Sequence, residues 1–363
     1  MMVQAAISLG IEVTVLASPS DTSAPSYVKE SSTTARFDRE SLQSFIDRCD
    51  FITFDHEVID ANILRSVEGY EMKVFPSPDT LELSSRKARC RRLMAEIGLP
   101  TPEFEVATNV EDLRSAINRI GLPVIVKSSF GGYDGRGVFE VLNESDFEEV
   151  AAALPTEFEV VIEKFVEIAK ELSIIVVRDK GGHIKSYPLL ETLQERQMCS
   201  EVYYPTGVDN EIEERAKEIA ETAAAAVASV GVLAVEMFLT LAGDVIVNEL
   251  APRPHNSGHL TIESMVTSQF ENHIRAVCSL PIGSVQPLFD AATMVNLIGT
   301  SDDLDQSNGR HNALNYPEVH LHLYGKRNRD RRKLGHITVV GDDRSTTIEV
   351  ARNARNAFYG ATS

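Results

Sequence analysis

Two acidic residues on neighbouring predicted strands are the first candidates for chemistry. The segments 232–240 and 245–250 have strand patterns, and a two-residue turn at 242–243 places Glu236 directly opposite Glu249. Cross-strand partners in such a ladder have Cβ atoms roughly 4.5–5.5 Å apart. Two bare carboxylates at that distance repel each other, whereas hard oxygen ligands suit Mg2+. The pattern predicts a magnesium site, and a solvated acidic pair is the alternative.

The loop 251–259, directly after Glu249, is the second candidate. Within seven residues it contains a guanidinium, two imidazoles, an amide and a hydroxyl: Arg253, His255, His259, Asn256 and Ser257. Arginine suits bidentate capture of a planar oxyanion, and histidine can accept or deliver a proton near neutral pH. We therefore expect a reaction centre here, against the alternative of a polar loop without a task.

A glycine-rich segment, 130–137, lies between two predicted strands and has four glycines in seven positions. Glycines let a backbone approach a ligand and point N–H groups at phosphate oxygens, and Lys127 ends the preceding strand. The segment is not a Walker loop, because no Gly-Lys-Ser/Thr follows. It leads into a strand rather than a helix, which excludes the dinucleotide fingerprint. A phosphate-binding loop is favoured over a plain flexible hairpin.

The segment 324–333 holds six basic residues among ten, in a chain whose formal net charge is −19. It is the densest positive cluster in the sequence. A phosphate clamp and a solvated basic loop fit this composition about equally well.

Composition narrows the class of protein. The 363 residues suit two or three domains, and 43% apolar content is too high for a disordered chain. A net charge of −19 argues against broad electrostatic binding of nucleic acid. No apolar run reaches the ~18–20 residues of a membrane-spanning helix. The four cysteines are far apart, which predicts reduced thiols in a cytoplasmic protein.

Alternating strand and helix patterns must position these residues. Strands are predicted at 11–16, 51–54, 73–75, 123–127, 137–141, 159–163, 172–177, 232–240, 245–250, 293–298, 318–323 and 335–340. Helices are predicted at 2–9, 40–49, 60–67, 79–97 and 211–230, with Gly231 as the stop of the last and a short helix at the end of the chain.

Together the motifs resemble those of ATP-grasp enzymes, and more narrowly those of the 5-(carboxyamino)imidazole ribonucleotide synthetase family. The matching segments are 132–137, 248–259, 324–326 and 332–336. The resemblance implies an α/β and α+β ATP-grasp fold, with an N-terminal parallel α/β domain (1–82), an ATP-grasp domain (83–287) and a small β-rich C-terminal domain (288–363). The family begins with a strand and a glycine-rich loop; here the sequence opens in a helical pattern, so we expect both to be lacking.

The resemblance implies that ATP is held between two subdomains. Lys127 would contact the α- and β-phosphates, Arg91 would replace a second lysine, Glu163 and Val166 would face the adenine hinge, and Glu171 would bind the ribose. The implied ATP-binding set is Arg91, Lys127, Gly132, Tyr133, Asp134, Gly135, Arg136, Gly137, Glu163, Lys164, Val166, Glu171, Asn248 and Glu249. Glu236 and Glu249 would hold the Mg2+ cofactor.

The implied reaction joins bicarbonate to aminoimidazole ribonucleotide through carboxyphosphate, in purine biosynthesis. The catalytic residues would be Arg253, His255 and Asn256, with His255 as proton acceptor. The residues implied to bind the ribonucleotide are Glu57, Tyr133, Asp134, Arg136, Lys326, Arg332 and Lys333. The partners would be these small molecules and a second copy of the chain in a homodimer, without nucleic acid or membrane.

Two other functions remain open. One is a different ATP-grasp carboxylate–amine ligase or a formate-using purine transformylase, which would differ in the loop 253–259. The other is a non-catalytic nucleotide-binding module.

Overall fold

The computed structural model describes residues 1–21, 23–130, 137–155, 157–300 and 304–360. The first part of the chain contains strands β1 (Thr14–Ala17) and β2 (Glu30–Thr33), paired in parallel, and helices α1 (Met2–Ser8), α2 (Arg39–Ile46), α3 (Ala61–Arg65), α4 (Tyr70–Lys73) and α5 (Pro78–Ser85). The strands predicted at 51–54 and 73–75 are wrong as strands. They meet only in one parallel bridge, between Ile52 and Val74.

A four-stranded antiparallel sheet follows. Its strands are β3 (Phe104–Ala107), β4 (Val124–Ser128), β5 (Val138–Val141) and β6 (Val160–Lys164), in the order β3-β6-β4-β5. Helices α7 (Val110–Ile120) and α8 (Glu144–Ala153) bury apolar residues such as Leu113 and Phe147 against Val126 and Ile162. The apolar face of this sheet is thereby covered, and the ends of β4 and β6 carry Lys127 and Glu163.

A nine-stranded sheet forms the rest of the frame, and it continues across the predicted domain boundary at residue 287. Its strands are β7 (Ile168–Arg178), β8 (Ile184–Ser186), β9 (Leu190–Glu195), β10 (Met198–Tyr204), β11 (Gly231–Thr240), β12 (Val245–Ala251), β13 (Ala291–Ile298), β14 (Val319–Leu323) and β15 (Lys333–Gly341). The order is β12-β11-β7-β9-β10-β13-β15-β14, with β8 beside β7.

Helices cover both faces of this larger sheet. They are α6 (Lys87–Glu96), α9 (Asn210–Ala226), α10 (Thr261–Ser264), α11 (Gln269–Val277), α12 (Gln306–Ala313) and α13 (Arg344–Phe358). Alanines of α9 pack on one face of β7 and β11, and α11 lies with the core on the opposite face. The final helix has 15 residues, so the prediction of a short one is wrong.

The helix predicted at 79–97 is two helices, α5 and α6, separated at Arg86. Arg86 is extended, with φ −109° and ψ 97°. The backbone N–H of Lys87 donates to the carbonyl of Ser129 at 2.8 Å, and the N–H of Ala88 donates to its Oγ at 3.2 Å. Because the loop after β4 caps α6 in this way, the helix restarts there and its first turn lies beside Lys127.

Helix α9 ends earlier than predicted, and Gly231 is not its stop. Ala228 takes a left-handed conformation, with φ 49°, and reverses the chain. Gly231 begins β11 with φ 102°, and a Cβ there would lie 2.7 Å from the ring of His273. The glycine is therefore required by the close approach of a buried imidazole, not by the end of a helix.

The cysteines and the helices bear on the predictions of reduced thiols and of no membrane-spanning segment. All four cysteines are free thiols. Within the described ranges, no helix combines the length and the apolar character needed to cross a membrane.

Candidate active site

Glu236 and Glu249 face each other as predicted, but through a different turn. The N–H of Thr240 donates to the carbonyl of Asp244 at 2.9 Å, just before β12, so the turn consists of the three residues 241–243, with Gly243 at φ 90°. A bulge at Asn248 then shifts the register by one residue and brings Glu236 opposite Glu249. The predicted pairing is confirmed, and the predicted two-residue turn is wrong. The bulge compensates for the extra turn residue.

A buried cluster with excess positive charge lies beside this pair. The amine of Lys127 is 2.8 Å from one Glu163 oxygen, and the Nε of Arg91 is 2.7 Å from the other. Lys127 also donates to the side-chain oxygen of Asn248 at 3.1 Å, and Arg91 donates to its carbonyl at 2.8 Å. Burial alone would raise the pKa of Glu163, but the two cations outweigh it and hold it at about 2. Two cations thus share one carboxylate, so the cluster suits an anionic ligand.

Lys87 completes this cluster, and it was not among the predicted residues. Its amine is 3.0 Å from Glu249, and both line a small cavity with Lys127 and Arg91. Burial works to lower the pKa of Lys87, but Glu249 outweighs it and the pKa is raised. Arg91 is 3% exposed and already satisfied, so Lys87 is the residue of α6 whose cation reaches the carboxylate pair. Its spacing of four residues from Arg91, one helical turn, was the available signal.

The Glu163 side chain belongs to the cationic cluster, and its predicted place at the adenine hinge stays a prediction. Its carboxylate is held by Lys127 and Arg91, as described above, because the alternation of β6 turns it toward β4 and α6. The connection between β6 and β7 contains Val166, and Lys164 precedes it with its amine 3.6 Å from Glu103. Glu171 lies on β7 opposite Phe238 of β11, and burial raises its pKa.

His255 lies against the carboxylate pair. Its Nε2 is 3.2 Å from Glu236, and its Nδ1 accepts the N–H of Ser257 at 3.3 Å. The proton therefore sits on Nε2 and points at Glu236, so a role as proton acceptor at Nε2 requires the other tautomer, in which Nδ1 donates to the Ser257 hydroxyl 2.9 Å away. Burial, then the charges of Glu249 and Glu171, raise the pKa of Glu236 to about 7. Burial holds the pKa of His255 well below its usual value.

Arg253 and Glu57 join the reactive loop to the N-terminal part of the chain. The guanidinium donates from Nε and Nη2 to both carboxylate oxygens of Glu57, and from Nη1 to the carbonyl of Pro254 at 3.2 Å. This bidentate pairing lowers the pKa of Glu57 against the opposing effect of burial. Arg253 thus binds a planar carboxylate through two hydrogen bonds, the mode expected of it for a planar oxyanion, and here the carboxylate is that of Glu57.

Asn256 pairs with the sheet in this structure, and its predicted catalytic role stays a prediction. Its amide forms a reciprocal pair with Asn296 of β13: Asn256 Nδ2 donates at 3.0 Å, and Asn296 Nδ2 donates back at 2.6 Å. Asn296 is 2% exposed and also donates to the carbonyl of Cys199. Because both polar atoms of Asn256 are occupied, its side chain tethers the loop to the sheet.

The basic segment 324–333 divides into outward and inward residues. Arg327, Arg329 and Arg331 are exposed, whereas the three predicted ligands, Lys326, Arg332 and Lys333, are half-buried. Burial and the charge of Arg332 lower the pKa of Lys326. The charge of Lys333 opposes the raised pKa of Glu236, so of these inward cations Lys333 acts on the carboxylate pair.

Five residues of the predicted loop, Gly132, Tyr133, Asp134, Gly135 and Arg136, lie outside the described residues. Gly137 is described: it has φ 73°, and its carbonyl accepts the N–H of Ser128 at 2.7 Å. A Cβ at this position would lie 2.7 Å from the Ser128 Oγ, so only glycine fits where β4 approaches the loop.

Comparison with known families agrees with this architecture. Family models match residues 1–85 as a ribonucleotide synthetase pre-ATP-grasp domain, 92–270 as an ATP-grasp domain, and 292–350 as a phosphoribosylaminoimidazole carboxylase C-terminal domain. The two sheets with a cationic cleft between them are those of an ATP-grasp protein. The chain is 34% identical over 355 residues to the N5-carboxyaminoimidazole ribonucleotide synthase of Bacillus subtilis, covering 97% of this chain and 91% of that protein. The chain belongs to the N5-carboxyaminoimidazole ribonucleotide synthase family.

Two further relatives set the extent of the similarity. The phosphoribosylaminoimidazole carboxylase of Candida glabrata is 33% identical over 353 residues, covering 94% of this chain but only 61% of that protein. The chain therefore spans about three fifths of that relative's length. A solved structure of N5-carboxyaminoimidazole synthase from Aspergillus clavatus, in complex with ADP and 5-aminoimidazole ribonucleotide, has a TM-score of 0.90 and 31% identity. It covers 99% of this chain and 95% of that chain.

Proposed function

We propose that this chain uses ATP and bicarbonate to carboxylate 5-aminoimidazole ribonucleotide, giving N5-carboxyaminoimidazole ribonucleotide, ADP and phosphate. Family membership supports the reaction class. The observation that carries the assignment is one continuous centre, in which the cationic cluster around Lys127 adjoins the pair Glu236 and Glu249, and His255 lies against that pair. Formation of an anhydride of phosphate and bicarbonate requires the first two functions side by side, and transfer of its carboxyl group to an amine requires the third.

ATP is assigned to the cleft lined by Lys87, Lys127 and Asn248. The cluster carries more positive than negative charge, so the triphosphate supplies the missing countercharge when Lys127 turns from Glu163 toward it. Arg91 keeps Glu163 in place during that exchange, because it holds the other oxygen. The adenine and ribose are assigned to the connection at Val166 and to Glu171.

The acidic pair fits a divalent cation. Burial and mutual repulsion raise the pKa of Glu236, which is the condition that a bound cation relieves. Among the described residues, no ready set of three His, Cys, Asp or Glu ligands exists. Glu236 and Glu249 would therefore share the ion with phosphate oxygens, as is usual for Mg2+. When bound, Mg2+ would neutralise charge on the transferred phosphoryl group.

The residues of the loop are assigned to bicarbonate. A bicarbonate oxygen attacks the γ-phosphorus, the bond to the bridging oxygen breaks, and ADP leaves with Lys127 balancing its charge. Arg253 is assigned to orient the planar bicarbonate. Carboxyphosphate then releases phosphate and CO2, and the exocyclic amine of the ribonucleotide attacks the carbon. His255 is assigned to receive the amine proton on Nε2 in the tautomer whose Nδ1 donates to the Ser257 hydroxyl, and Glu236 would balance the charge of the resulting imidazolium.

The ribonucleotide 5′-phosphate is assigned to Lys326, Arg332 and Lys333, and Glu57 to the same side of the cleft. Replacement of Lys326 by Ala is expected to raise the KM for the ribonucleotide about 10- to 100-fold, because a charged phosphate contact is lost. The KM for ATP should change less than about twofold. Steady-state kinetics with each substrate varied in turn will measure both values.

The matched control for that variant is Arg327→Ala, which removes an exposed cation from the same segment. It should leave both KM values unchanged. Equal effects of Lys326→Ala on the two substrates would contradict the assignment.

The activity itself is tested by following ADP release and N5-carboxyaminoimidazole ribonucleotide formation with ATP and Mg2+. We expect ADP release to depend on both bicarbonate and the ribonucleotide. Formate replacing bicarbonate should give no turnover, and turnover with formate would favour a transformylase instead. Absence of stimulation by the ribonucleotide under every carboxylate would reject the assignment.

A homodimer in the cytoplasm is proposed on the family resemblance and the four free thiols. Light scattering after size-exclusion chromatography will give the mass of the particle, and a mass of one chain would reject the dimer.

A further inference from the structure

Gln269, the first residue of α11, forms two hydrogen bonds with the backbone of His255. Its side-chain oxygen accepts the N–H of His255 at 2.9 Å, and its side-chain nitrogen donates to the carbonyl of the same residue at 2.6 Å. Gln269 is 0% exposed, and its side-chain amide hydrogen-bonds to His255 and His259 of the loop. One amide therefore satisfies both peptide groups of the residue assigned to the proton step.

Neighbouring residues of the loop accommodate the Gln269 amide and fix its orientation. The orientation of the Gln269 amide is fixed, since a backbone N–H can only donate and a carbonyl can only accept. Its second N–H is directed at the Nδ1 of His259 at 3.1 Å, which places the proton of that imidazole on Nε2. A Cβ on Gly258 would lie 2.5 Å from the Gln269 oxygen. Gly258 is thus the residue whose missing side chain admits the amide.

Helix α11 is itself anchored independently of the loop. Asn272 is 0% exposed; it donates to the hydroxyl of Tyr187 at 2.7 Å and accepts the N–H of Gly283 at 2.8 Å. One turn after Gln269, the buried His273 contacts Thr53 Oγ1 at 2.6 Å, just before the segment that carries Glu57. The helix therefore holds His255 in register with the side of the site that carries Glu57.

We propose that Gln269 is a positioning residue that couples ATP cleavage to carboxyl transfer by holding His255 in place. The proposal rests on the proposed function. ATP cleavage depends on the separate cluster around Lys127, so a displaced His255 still allows carboxyphosphate to form. Carboxyphosphate that is not captured breaks down, and ADP is then released without product. The predicted defect is therefore loss of coupling rather than loss of ATP binding.

The test compares Gln269→Met with Asn272→Leu in the full chain. Both variants remove a fully buried amide with two or more hydrogen bonds from the same helix, but only Gln269 contacts the loop. For Gln269→Met we expect product formation to fall about 10- to 100-fold. The ratio of ADP to product should rise at least about threefold, with the KM for ATP within about twofold of wild type. Asn272→Leu should lower the melting temperature and keep the wild-type ratio.

Gly258→Ala keeps the proposal falsifiable if Gln269→Met does not fold. This variant keeps the Gln269 side chain, but the added Cβ would push the Gln269 amide away from the loop. It should therefore raise the ADP-to-product ratio in the same way. A wild-type ratio in folded Gln269→Met or Gly258→Ala, or equal uncoupling in Asn272→Leu, would overturn the role. A wild-type chain without ribonucleotide-dependent turnover would instead reject the proposed function, so the two failures are distinguishable.

Discussion

Replacement of Glu236 by Gln is expected to lower kcat about 10³-fold, because the loss of a carboxylate that holds the cation removes several kcal/mol of transition-state stabilisation. The substitution preserves shape and hydrogen bonding to His255, so the effect reports the charge. Ribonucleotide-dependent ADP release at saturating ATP will measure it.

The same variant is expected to be more stable than the wild-type protein at alkaline pH. The pKa of Glu236 in the folded state is about 7, mainly through burial and then through Glu249 and Glu171, against 4.5 when exposed. A carboxyl group whose pKa is higher in the folded state than in the unfolded state lowers the free energy of unfolding at pH values above its folded-state pKa. This effect disappears at pH values below its unfolded-state pKa. Discounted for partial exposure, Glu236→Gln should gain about 2 kcal/mol above pH 7 and nothing below pH 4.5.

Urea unfolding of the wild-type protein and Glu236→Gln from pH 4 to pH 8 will measure the stability difference. Together with the kinetics, it will show whether the charge of Glu236 favours activity and lowers stability. Adding Mg2+ should stabilise the wild-type chain more than the variant, because an ion that binds only the folded state raises stability by mass action. Glu218→Gln, on the exposed face of α9, is the matched control and should change neither quantity. A destabilised Glu236→Gln at pH 8 without Mg2+ would contradict the electrostatic account.

The parts of the site that lie close together in sequence could be predicted from residue types and spacing. Glu249 and the loop 251–259 are nearly contiguous, and strand alternation related Glu249 to Glu236 on the adjoining strand. Even there the prediction succeeded through two cancelling errors, a turn longer by one residue and a bulge at Asn248. Bulges depend on the neighbouring strands, which local spacing does not reveal.

The residues that were missed are defined by contacts distant in sequence. Lys87 reaches Glu249 because Ser129, after β4, caps the start of α6 and interrupts the predicted helix. Gln269 belongs to the site only because α11 packs behind His255. The spacing of Lys87 from Arg91 indicates a shared helix face but not its partner Glu249, and nothing near Gln269 in sequence indicates that it contacts His255.

In the fold, too, elements set by their own sequence were predicted, whereas elements set by distant contacts were missed. Long strands such as β11 and β12 were predicted to within a residue or two, because they are long, mostly apolar and mostly buried. The short segments at Ile52 and Val74 are apolar but form only one bridge. Strands β8, β9 and β10 contain many polar residues and were missed, since their place in the sheet is set by pairing with β7 and with each other.

Replacement of Glu163 by Gln is expected to lower the free energy of unfolding by about 3 kcal/mol, because removing one partner of a buried ion pair leaves uncompensated charge. Lys127 and Arg91 would both remain in a site where the side chains of Arg91 and Glu163 are only 4% and 5% exposed. The folded pKa of Glu163 is about 2, so its contribution is complete above pH 4.5 and is lost only as the pH falls toward 2. Urea unfolding at neutral pH will measure the difference.

Charge counting predicts how that loss is reversed. In the wild-type protein two cations, Lys127 and Arg91, contact the one carboxylate of Glu163, and Glu163→Gln leaves these two cations without it. Adding Arg91→Met returns the net charge of this group to one. The double variant should therefore be more stable than Glu163→Gln although it lacks a further contact. ATP should stabilise Glu163→Gln more than wild type, since its phosphates replace the lost carboxylate.

The control for these charge effects is Glu105→Gln on the adjacent strand β3. Glu105 pairs with Arg119 at 3.0 Å, but both side chains are exposed, so its loss should cost less than about 1 kcal/mol. A similar small cost for Glu163→Gln, or a double variant less stable than the single one, would contradict an excess of positive charge in the cluster. Because that excess is also the reason for placing the triphosphate there, the same measurement bears on the ATP site.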